Sequence, residues 1–285
     1  MHRPTIHELF DLTGQVALVT GARHLGYDAA EALAELGATV VLTSRDPGRA
    51  AEWAERLNQE RGTAAVGAAS GAAVGVALEV TDPESWRRVA AGIEERYGRL
   101  DVLVNAAGGR SPSKVRPQRI EDMAADFLEG RDVEAWRTTL DTNLTGVFLG
   151  CRAAAPLMKR RRRGKIISLA SIDGMVGRDL ELYNGAGLSA TVPDYLASKA
   201  GIIGLTRGVA VALAPHGIQV NSISPGGFER GQPEEFVRRY AVRVPLGRMG
   251  RDGVDIKGAV AFLATAASDY VTGHNLVVDG GWTAW

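Results

Sequence analysis

The chain has 285 residues, 45% hydrophobic and 23% charged, a composition that suits one large α/β domain with a substantial core. Lysine plus arginine and aspartate plus glutamate number 33 each, so no net charge attracts this chain to nucleic acid or to an anionic membrane. The single cysteine, Cys151, excludes an internal disulfide and favours a reducing compartment, with the cytoplasm as the default. Residues 1–11 lack the apolar stretch of a secretory signal, and no apolar run is expected to span a membrane.

Short apolar segments alternate with helix-like segments along the chain. The first runs from Gln15 to Thr20, and a turn at Gly21 leads to alanines and leucines at helical spacing between Asp28 and Gly37. Six more apolar segments follow: Val40–Leu42, Val76–Val80, Leu100–Asn105, Lys165–Leu169, Gln219–Ile223 and Asn275–Val278. Such runs are typical of parallel strands buried between helices. The pattern predicts an α/β fold in residues 1–285, a single Rossmann-type, doubly wound parallel sheet with helices on both faces.

Two stretches interrupt the alternation. Residues 109–131 are polar and contain prolines, and residues 174–193 are rich in glycine and small side chains. Both follow strands whose carboxyl ends should face the ligand crevice of such a sheet. Long loops in compact domains are usually functional or disordered. We expect both inserts to shape a substrate site, and surface decoration is the alternative.

The first predicted strand ends in the run Thr20-Gly21-Ala22-Arg23-His24-Leu25-Gly26. Glycines at such a turn let the backbone approach a pyrophosphate, whose charge then lies at the positive N-terminus of the next helix. The run resembles the TGxxxGxG fingerprint of the short-chain dehydrogenase/reductase family, although it is one residue shorter and lacks the middle glycine. The resemblance implies dinucleotide contacts from Gly21, Arg23, His24, Leu25 and Gly26. A purely structural turn is the alternative.

The end of the second strand bears on the choice of cofactor. An acid there would accept hydrogen bonds from the ribose hydroxyls and repel a 2′-phosphate, but the chain has Ser44-Arg45. Because a guanidinium pairs well with phosphate, NADP(H) is favoured over NAD(H). In the alternative reading, Arg45 is an ordinary solvated residue, and Asp46 caps the next helix or contacts the ribose.

Further segments match the same family pattern. Glu79-Val80 stands where an aspartate usually contacts the adenine, and Asn105-Ala106-Ala107-Gly108 resembles the NNAG segment, with Val104 in place of its first residue. Pro225-Gly226 resembles the PG motif beside the nicotinamide, and residues 227–243 resemble the mobile substrate lid. The resemblance adds these cofactor contacts: Glu79, Val80, Asn105, Ala106, Ala107, Gly108, Pro225, Gly226 and Phe228.

Tyr195 and Lys199 are four residues apart and should share one face of a helix. Hydride transfer to a ketone develops an alkoxide that must be protonated, and the reverse direction needs a base. A tyrosine near pKa 10 is a weak base at neutral pH, so a nearby cation that favours the phenolate is required. Taken alone, the pair is also compatible with a chance surface arrangement.

The family resemblance assigns roles around this pair. It implies that Tyr195 and Lys199 also contact the cofactor, with the lysine on the nicotinamide ribose. Ser171 is expected to hydrogen-bond the substrate oxygen, and Asn143 to orient a proton-relay water. Ser168 competes for the serine role but lies within a predicted strand, and Ser198 is expected to make a packing or backbone contact.

The substrate is suggested by less specific features. The insert between Ser171 and Tyr195 and the terminal Gly281-Trp282 resemble family members that act on sugars and sugar acids, including gluconate 5-dehydrogenase-like proteins. A substrate carboxylate would pair with Arg110, Arg116 or Arg178 unless these are merely exposed. A 3-oxoacyl carrier-protein reductase is the rival enzyme, although the insert would crowd a long acyl arm. A non-catalytic dinucleotide-binding regulatory protein is the third possibility, which would not need the four catalytic residues.

Other signals favour ordinary structural explanations. The basic run Lys159–Arg163 suits a solvated helix end, where cations complement the helix dipole, better than a nucleic-acid site. Histidines are scattered and no HExxH pair occurs, so no catalytic metal is expected. Cys151 lies in an apolar helical segment and should be part of the core. The family resemblance further implies a homotetramer.

Overall fold

The structure, a computed structural model, describes residues 3–60, 72–109, 120–190 and 192–285. Its central sheet is parallel and contains seven strands: β1 (Val16–Thr20), β2 (Thr39–Ser44), β3 (Ala73–Ala77), β4 (Val102–Asn105), β5 (Gly164–Leu169), β6 (Ile218–Pro225) and β9 (Asn275–Val278). Their spatial order is β3-β2-β1-β4-β5-β6-β9. Two short strands, β7 (Phe228–Glu229) and β8 (Gly250–Arg251), pair separately. The predicted doubly wound parallel sheet is confirmed.

Helices cover both faces of this sheet. They are α1 (Ile6–Phe10), α2 (Leu25–Glu35), α3 (Pro47–Glu60), α4 (Pro83–Tyr97), α5 (Ile120–Leu128), α6 (Val133–Leu140), α7 (Gly146–Arg161), α8 (Pro193–Leu213), α9 (Glu234–Val242) and α10 (Lys257–Ala264). One buried cluster joins the sheet to α2, α3 and α10, and a second joins its other face to α4, α7 and α8. Alternate residues of β1 enter the two clusters, as a strand buried on both faces requires.

The third predicted strand is misplaced by three residues. Strand β3 ends at Ala77, which is in register with Ser44 at the end of β2, whereas the sequence predicted Val76–Val80. The buried residue Val80 instead lies under α4, where its carbonyl accepts a hydrogen bond from Trp86 Nε1 at 2.9 Å. An apolar run therefore continued past the strand because its last residues pack under a helix.

Helix α8 corrects the expectation about membrane-spanning length. With the turn that follows it, residues Pro193–His216 form a 24-residue segment that is long and apolar enough to cross a membrane by length and composition. The helix packs against β6 and buries Ile202 and Leu213, while Val211 on its outer side is 77% exposed. Apolar residues on more than one side of the helix account for this length of apolar sequence.

Helix α7 confirms two predictions. Its last turn contains Lys159, Arg160 and Arg161, all exposed, and it ends at Arg162 in the left-handed conformation, so the basic run is a solvated helix end. Cys151 is buried in the same helix, and burial raises the pKa of its thiol to about 12. This cysteine is an inert part of the core.

Candidate active site

The first glycine turn brings the ends of β1 and β4 into close contact. Gly21 has a φ of 76°, and a Cβ atom there would lie 2.6 Å from Ala107 Cα. A Cβ on Gly26 would overlap the carbonyl oxygen of Gly21. Thr20 Oγ1 accepts hydrogen bonds from the amides of Ala106 and Ala107, both at 3.1 Å. The missing side chains leave a backbone-lined cradle before α2, which fits the pyrophosphate of a dinucleotide.

His24 has the most unusual backbone conformation of this turn. Its φ of 52° and ψ of −125° lie where glycine is favoured, and it is the N-cap of α2 without a side-chain capping bond. The imidazole is exposed, and partial burial followed by the charges of Arg230 and Arg23 lowers its pKa. The sequence had shown a shortened turn without its middle glycine. In the structure, this departure coincides with a strained histidine.

The end of β2 presents Arg45 to solvent. Asp46 Oδ1 accepts hydrogen bonds from the amides of Gly48 at 2.8 Å and Arg49 at 3.3 Å. Asp46 therefore acts at the start of α3 as the helix cap that the sequence had suggested. Its amide also donates to Ser44 Oγ at 3.3 Å.

Glu79 and Val80 follow β3 in a turn outside the strand. Glu79 Oε1 accepts hydrogen bonds from the amide of Thr81 at 3.2 Å and from its hydroxyl at 2.9 Å, so this carboxylate folds back on its own turn. Val80 packs closely on Gly146, where a Cβ would lie 3.2 Å from Val80 Cβ. The adenine contact expected of both residues stays a prediction.

Asn143 links the segment after β4 to α8. It is buried in the single π-helical turn Asp141–Thr145 before α7. Its side chain exchanges two hydrogen bonds of 3.0 Å with the backbone of Gly109, and its Nδ2 also donates to Ser198 Oγ at 3.1 Å. The Ser198 hydroxyl donates to the carbonyl of Tyr195 at 2.8 Å, which confirms the expected backbone contact. Such π-turns are frequent at functional sites.

Asn105 ends β4 and belongs to a buried polar group. Its Nδ2 donates to Ser168 Oγ at 3.2 Å, so Ser168 takes part in a hydrogen bond within the sheet. The Oδ1 of Asn105 is buried without a hydrogen-bond partner in the part of the chain that the structure describes. The neighbouring Gly108 has a φ of 151°, and a Cβ there would lie 2.7 Å from Asn143 Oδ1.

Tyr195 and Lys199 lie near the start of α8, which begins at Pro193. Lys199 Nζ donates to the carbonyl of Leu169 at 2.6 Å and lies 5.5 Å from the centre of the Tyr195 ring. Burial lowers the pKa of Lys199 from 10.5 to about 8, with a smaller opposing effect of Asp173. The ammonium of Lys199 therefore lies next to the face of the Tyr195 ring, although burial makes its charged form unfavourable.

Ser171 follows β5 and faces the same part of α8. It is buried, and its Oγ accepts a hydrogen bond from the amide of Asp173 at 3.1 Å, which begins a short 3₁₀ turn. A Cβ on Gly174 in this turn would lie 2.6 Å from the backbone of Lys199. The structure therefore brings Ser171 and Lys199 onto adjoining segments, while Asn143 contacts α8 through Ser198.

Two buried ion pairs at this site were not found in the sequence. Arg131 makes a bidentate contact with Asp194, at 2.8 and 2.7 Å, directly before Tyr195. Arg178 pairs with Asp173, and its buried Nε has no hydrogen-bond partner among the described residues. Arg178 is therefore not merely exposed, whereas Arg110 and Arg116 lie outside the described residues. The sequence shows only that these residues are charged. Because Arg131 and Asp194 are 63 residues apart, no local pattern connects them.

The second insert and the predicted lid meet in an aromatic cluster. Tyr183, Phe236, Tyr240 and Trp282 are in contact, with the last two rings stacked at 4.4 Å. Tyr240 also accepts a hydrogen bond from the amide of Gly227 at 2.6 Å. A cavity of about 200 Å³ lies nearby. Its lining includes residues that follow Pro225 and residues at the end of β9, namely Gly226, Gly227, Phe228, Val278, Asp279 and Gly280.

Comparisons with known proteins identify this arrangement. The family model described as enoyl-(acyl carrier protein) reductase matches residues 19–283. The chain is 39% identical to trans-4-hydroxycyclohexanecarboxylate dehydrogenase of Sinomonas cyclohexanicum over 273 residues, covering 95% of this chain and 93% of the relative. It is 34% identical to the 3-oxoacyl-(acyl-carrier-protein) reductase FabG of Vibrio cholerae over 276 residues, covering 95% and 98%.

A solved structure extends the similarity to the whole fold. The gluconate 5-dehydrogenase of Burkholderia cenocepacia, in complex with NADP and tartrate, matches with a TM-score of 0.81 and 32% identity, covering 99% of this chain and 100% of that one. Fold and site therefore define an NAD(P)-dependent dehydrogenase or reductase that acts on CH–OH groups. The chain belongs to the short-chain dehydrogenase/reductase family.

Proposed function

We propose that this enzyme transfers a hydride between NADP(H) and a secondary alcohol or ketone of a sugar, a polyol or a sugar acid. The observation that carries the proposal is the position of Lys199 Nζ, buried at 2.6 Å from the carbonyl of Leu169 and 5.5 Å from the ring centre of Tyr195. A cation held at that place favours the phenolate and thereby makes the tyrosine a usable base. Within this proposal, the substrate lies beside the second insert and the lid, whereas residues 110–119 of the first insert lie outside the described residues.

In this proposal, each of the four polar residues has a separate role in the reaction. When bound, the nicotinamide supplies or accepts the hydride. Tyr195 protonates the substrate oxygen during reduction and removes its proton during oxidation. Ser171 hydrogen-bonds the same oxygen, and Lys199 supplies the charge next to the phenol and contacts the ribose. Asn143 holds Gly109 and the start of α8 in place and orients the relay water.

The preference for NADP(H) is supported by the end of β2. Arg45 is exposed there, and the carboxylate of the next residue, Asp46, is engaged in capping α3. A charge-assisted hydrogen bond contributes about 1.5–3 kcal/mol, so Arg45→Ala should weaken NADPH about 10- to 100-fold and NADH far less. Isothermal titration with both cofactors measures this, and equal losses would refute the role of Arg45 at the 2′-phosphate.

A carboxylate-bearing substrate is supported by Arg178 together with the relatives. The relatives' names include a cyclohexanecarboxylate and gluconate, and the gluconate enzyme was solved with tartrate. Arg178 has an unused Nε–H beside the turn that contains Ser171. A substrate carboxylate that replaces the contact with Asp173 would gain a bidentate guanidinium partner. Arg178→Met should therefore reduce kcat/KM for acids more than for neutral polyols, which lose only the effect of the unpaired Asp173 on Lys199.

The rival reading is a 3-oxoacyl carrier-protein reductase, supported by the similarity to the Vibrio cholerae enzyme. Against it, the aromatic cluster of Tyr183, Phe236, Tyr240 and Trp282 packs the insert against the lid, and an insert held there is expected to crowd a long acyl arm. A non-catalytic dinucleotide-binding regulator is the third reading. It predicts cofactor binding without turnover of any substrate.

One screen separates these readings. The absorbance of reduced nicotinamide is followed with aldonates, polyols, trans-4-hydroxycyclohexanecarboxylate and an acetoacetyl thioester, each with both cofactors. Tyr195→Phe should lower kcat by about 10²–10⁴ while the Kd for NADPH is retained, since it removes only the proton donor. Tyr270→Phe, at a fully exposed tyrosine, is the matched control. Retained turnover in the Tyr195 variant would refute the mechanism.

The predicted homotetramer is part of the proposal. Helices α7 and α8 lie in the same layer and present Phe148 and Val211 to solvent, 47% and 77% exposed. Apolar side chains on two neighbouring helices support burial against another copy. Light scattering after gel filtration should give a tetramer, and Val211→Asp should lower the mass. A monomeric wild type would refute this.

We also propose a cytoplasmic location, which fractionation of expressing cells tests.

A further inference from the structure

Arg230 lies in the lid directly after β7. Its guanidinium packs over the ring of Phe228 at 5.6 Å, and its Nε donates to Asp252 Oδ1 at 2.7 Å. Asp252 follows β8, the strand that pairs with β7, so both ends of this ion pair belong to the small two-stranded sheet. The contact therefore fixes the direction of the arginine side chain relative to the lid.

The same turn is attached to the dinucleotide cradle. The amide of Gly253, next to Asp252, donates to Asp28 Oδ2 at 3.1 Å. Asp28 is buried in the first turn of α2, and its own amide donates to the carbonyl of His24 at 3.0 Å. Only three contacts therefore separate Arg230 from the N-terminus of the helix at which a pyrophosphate is expected to lie.

The charges around this point are unevenly paired. Partial burial lowers the pKa of His24 most, and the charges of Arg230 and Arg23 lower it further, while Asp252 raises it. Arg230 Nη2 is buried and, although 2.6 Å from Asp252 Oδ1, makes no hydrogen bond within the described part of the chain. Arg230 and Arg23 are thus two cations near the exposed His24 at the start of α2, and a single carboxylate, that of Asp252, is ion-paired with Arg230. Such an excess of positive charge favours an anionic ligand.

We propose that Arg230 binds the pyrophosphate of the dinucleotide and thereby holds the lid over the cofactor. In the cradle before α2, the amides of Ala22, Arg23 and Gly26 already donate to backbone carbonyls, so fewer N–H groups remain for a phosphate. A guanidinium supplies a bidentate, charge-assisted replacement. Asp252 holds the side chain until the pyrophosphate takes its place. The inference rests on the proposed dinucleotide site and not on the identity of the substrate.

The test is a set of binding titrations without substrate, using isothermal titration calorimetry. The ligands are NADPH, NADH, ADP-ribose and 2′-AMP, of which only 2′-AMP lacks a pyrophosphate. Arg230→Met should raise the Kd for the first three by about tenfold or more and leave that for 2′-AMP within about twofold. Arg230→Lys should lose less, because it keeps the charge. Arg238→Met is the matched control, since this lid arginine is exposed and pairs only with Glu235 among its described neighbours.

Asp252→Asn gives a result of opposite sign. If the carboxylate competes with the pyrophosphate for Arg230, its removal should tighten the three pyrophosphate ligands several-fold. If the ion pair merely attaches the lid, Asp252→Asn and Arg230→Met should both weaken them, and this parallel loss would overturn the inference. A loss confined to NADPH would assign Arg230 to the 2′-phosphate and equally overturn it.

The outcome also separates this inference from the proposed function. An unchanged Kd in Arg230→Met, with normal binding by the wild type, overturns the inference alone. Failure of the wild type to bind ADP-ribose overturns the dinucleotide site and the inference with it. Urea unfolding of each variant identifies a loss of binding that is caused by unfolding, and Arg230→Lys then provides the comparison.

Discussion

Replacement of His24 by glycine should stabilise the protein. The φ of 52° and ψ of −125° lie in a region that glycine adopts readily, and a non-glycine residue held in such a conformation costs about 1–3 kcal/mol. The side chain is exposed and makes no capping bond, so little contact energy is lost with it. Glycine adds about 0.5–1 kcal/mol of conformational entropy to the unfolded chain. The expected net change in the free energy of unfolding is a gain of about 1 kcal/mol.

Urea unfolding of the protein without cofactor, followed by tryptophan fluorescence, measures this gain. Arg162→Gly is the matched control, because Arg162 is the other non-glycine residue with positive φ in the described part of the chain. Its φ of 51° and ψ of 35° are ordinary left-handed values, and its Nη2 donates to the carbonyl of Pro215 at 3.1 Å. The control should gain nothing. Equal changes in both variants would show that the cofactor turn stores no strain.

Three further substitutions test the site. Because burial lowers the pKa of Lys199 to about 8, the unfolded chain binds more protons than the native one between pH 8 and 10.5. The free energy of unfolding should therefore rise by up to about 3 kcal/mol across that window, and urea unfolding of Lys199→Met should lack this rise. Gly26→Ala forces a Cβ into the Gly21 carbonyl and should cost about 1–3 kcal/mol together with most NADPH affinity, measured by urea unfolding and titration. Arg131→Met leaves Asp194 as a buried unpaired charge and should lower the free energy of unfolding by about 3–5 kcal/mol. The double variant Arg131→Met/Asp194→Leu, in urea unfolding, should regain most of this loss.

The sheet could be predicted because its signal is local. Mostly apolar runs mark β1, β5 and β9 to within a residue, since strands between two helix layers are rich in apolar side chains. The same rule misplaced β3, because Val80 is apolar for a different reason, its burial under α4. Hydrophobicity reports burial, and burial by a sheet or under a helix cannot be distinguished in a run of five residues.

The site was predictable where a motif determines the backbone. Gly21 and Gly26 meet because side chains would prevent their contact, and Tyr195 and Lys199 meet because four residues make about one helical turn. The supporting charges were not predictable. Arg131 shares no local pattern with its partner in α8, and only the folded chain determines which of many arginines reaches a buried carboxylate.

These supporting contacts divide the site into a fixed part and a variable part. Helix α8 is held by the Asp194 ion pair at its start, by Ser198 through Asn143, and by Lys199 through the β5 carbonyl. Each contact ends on a backbone or a buried side chain, and none requires a substrate. The second insert instead contacts these residues through Asp173, which forms an ion pair with Arg178. The charge of Asp173 also favours the protonated form of Lys199. A ligand that draws Arg178 away from Asp173 would strengthen the effect of that carboxylate on Lys199, so recognition of an acidic substrate would help to keep the catalytic lysine charged.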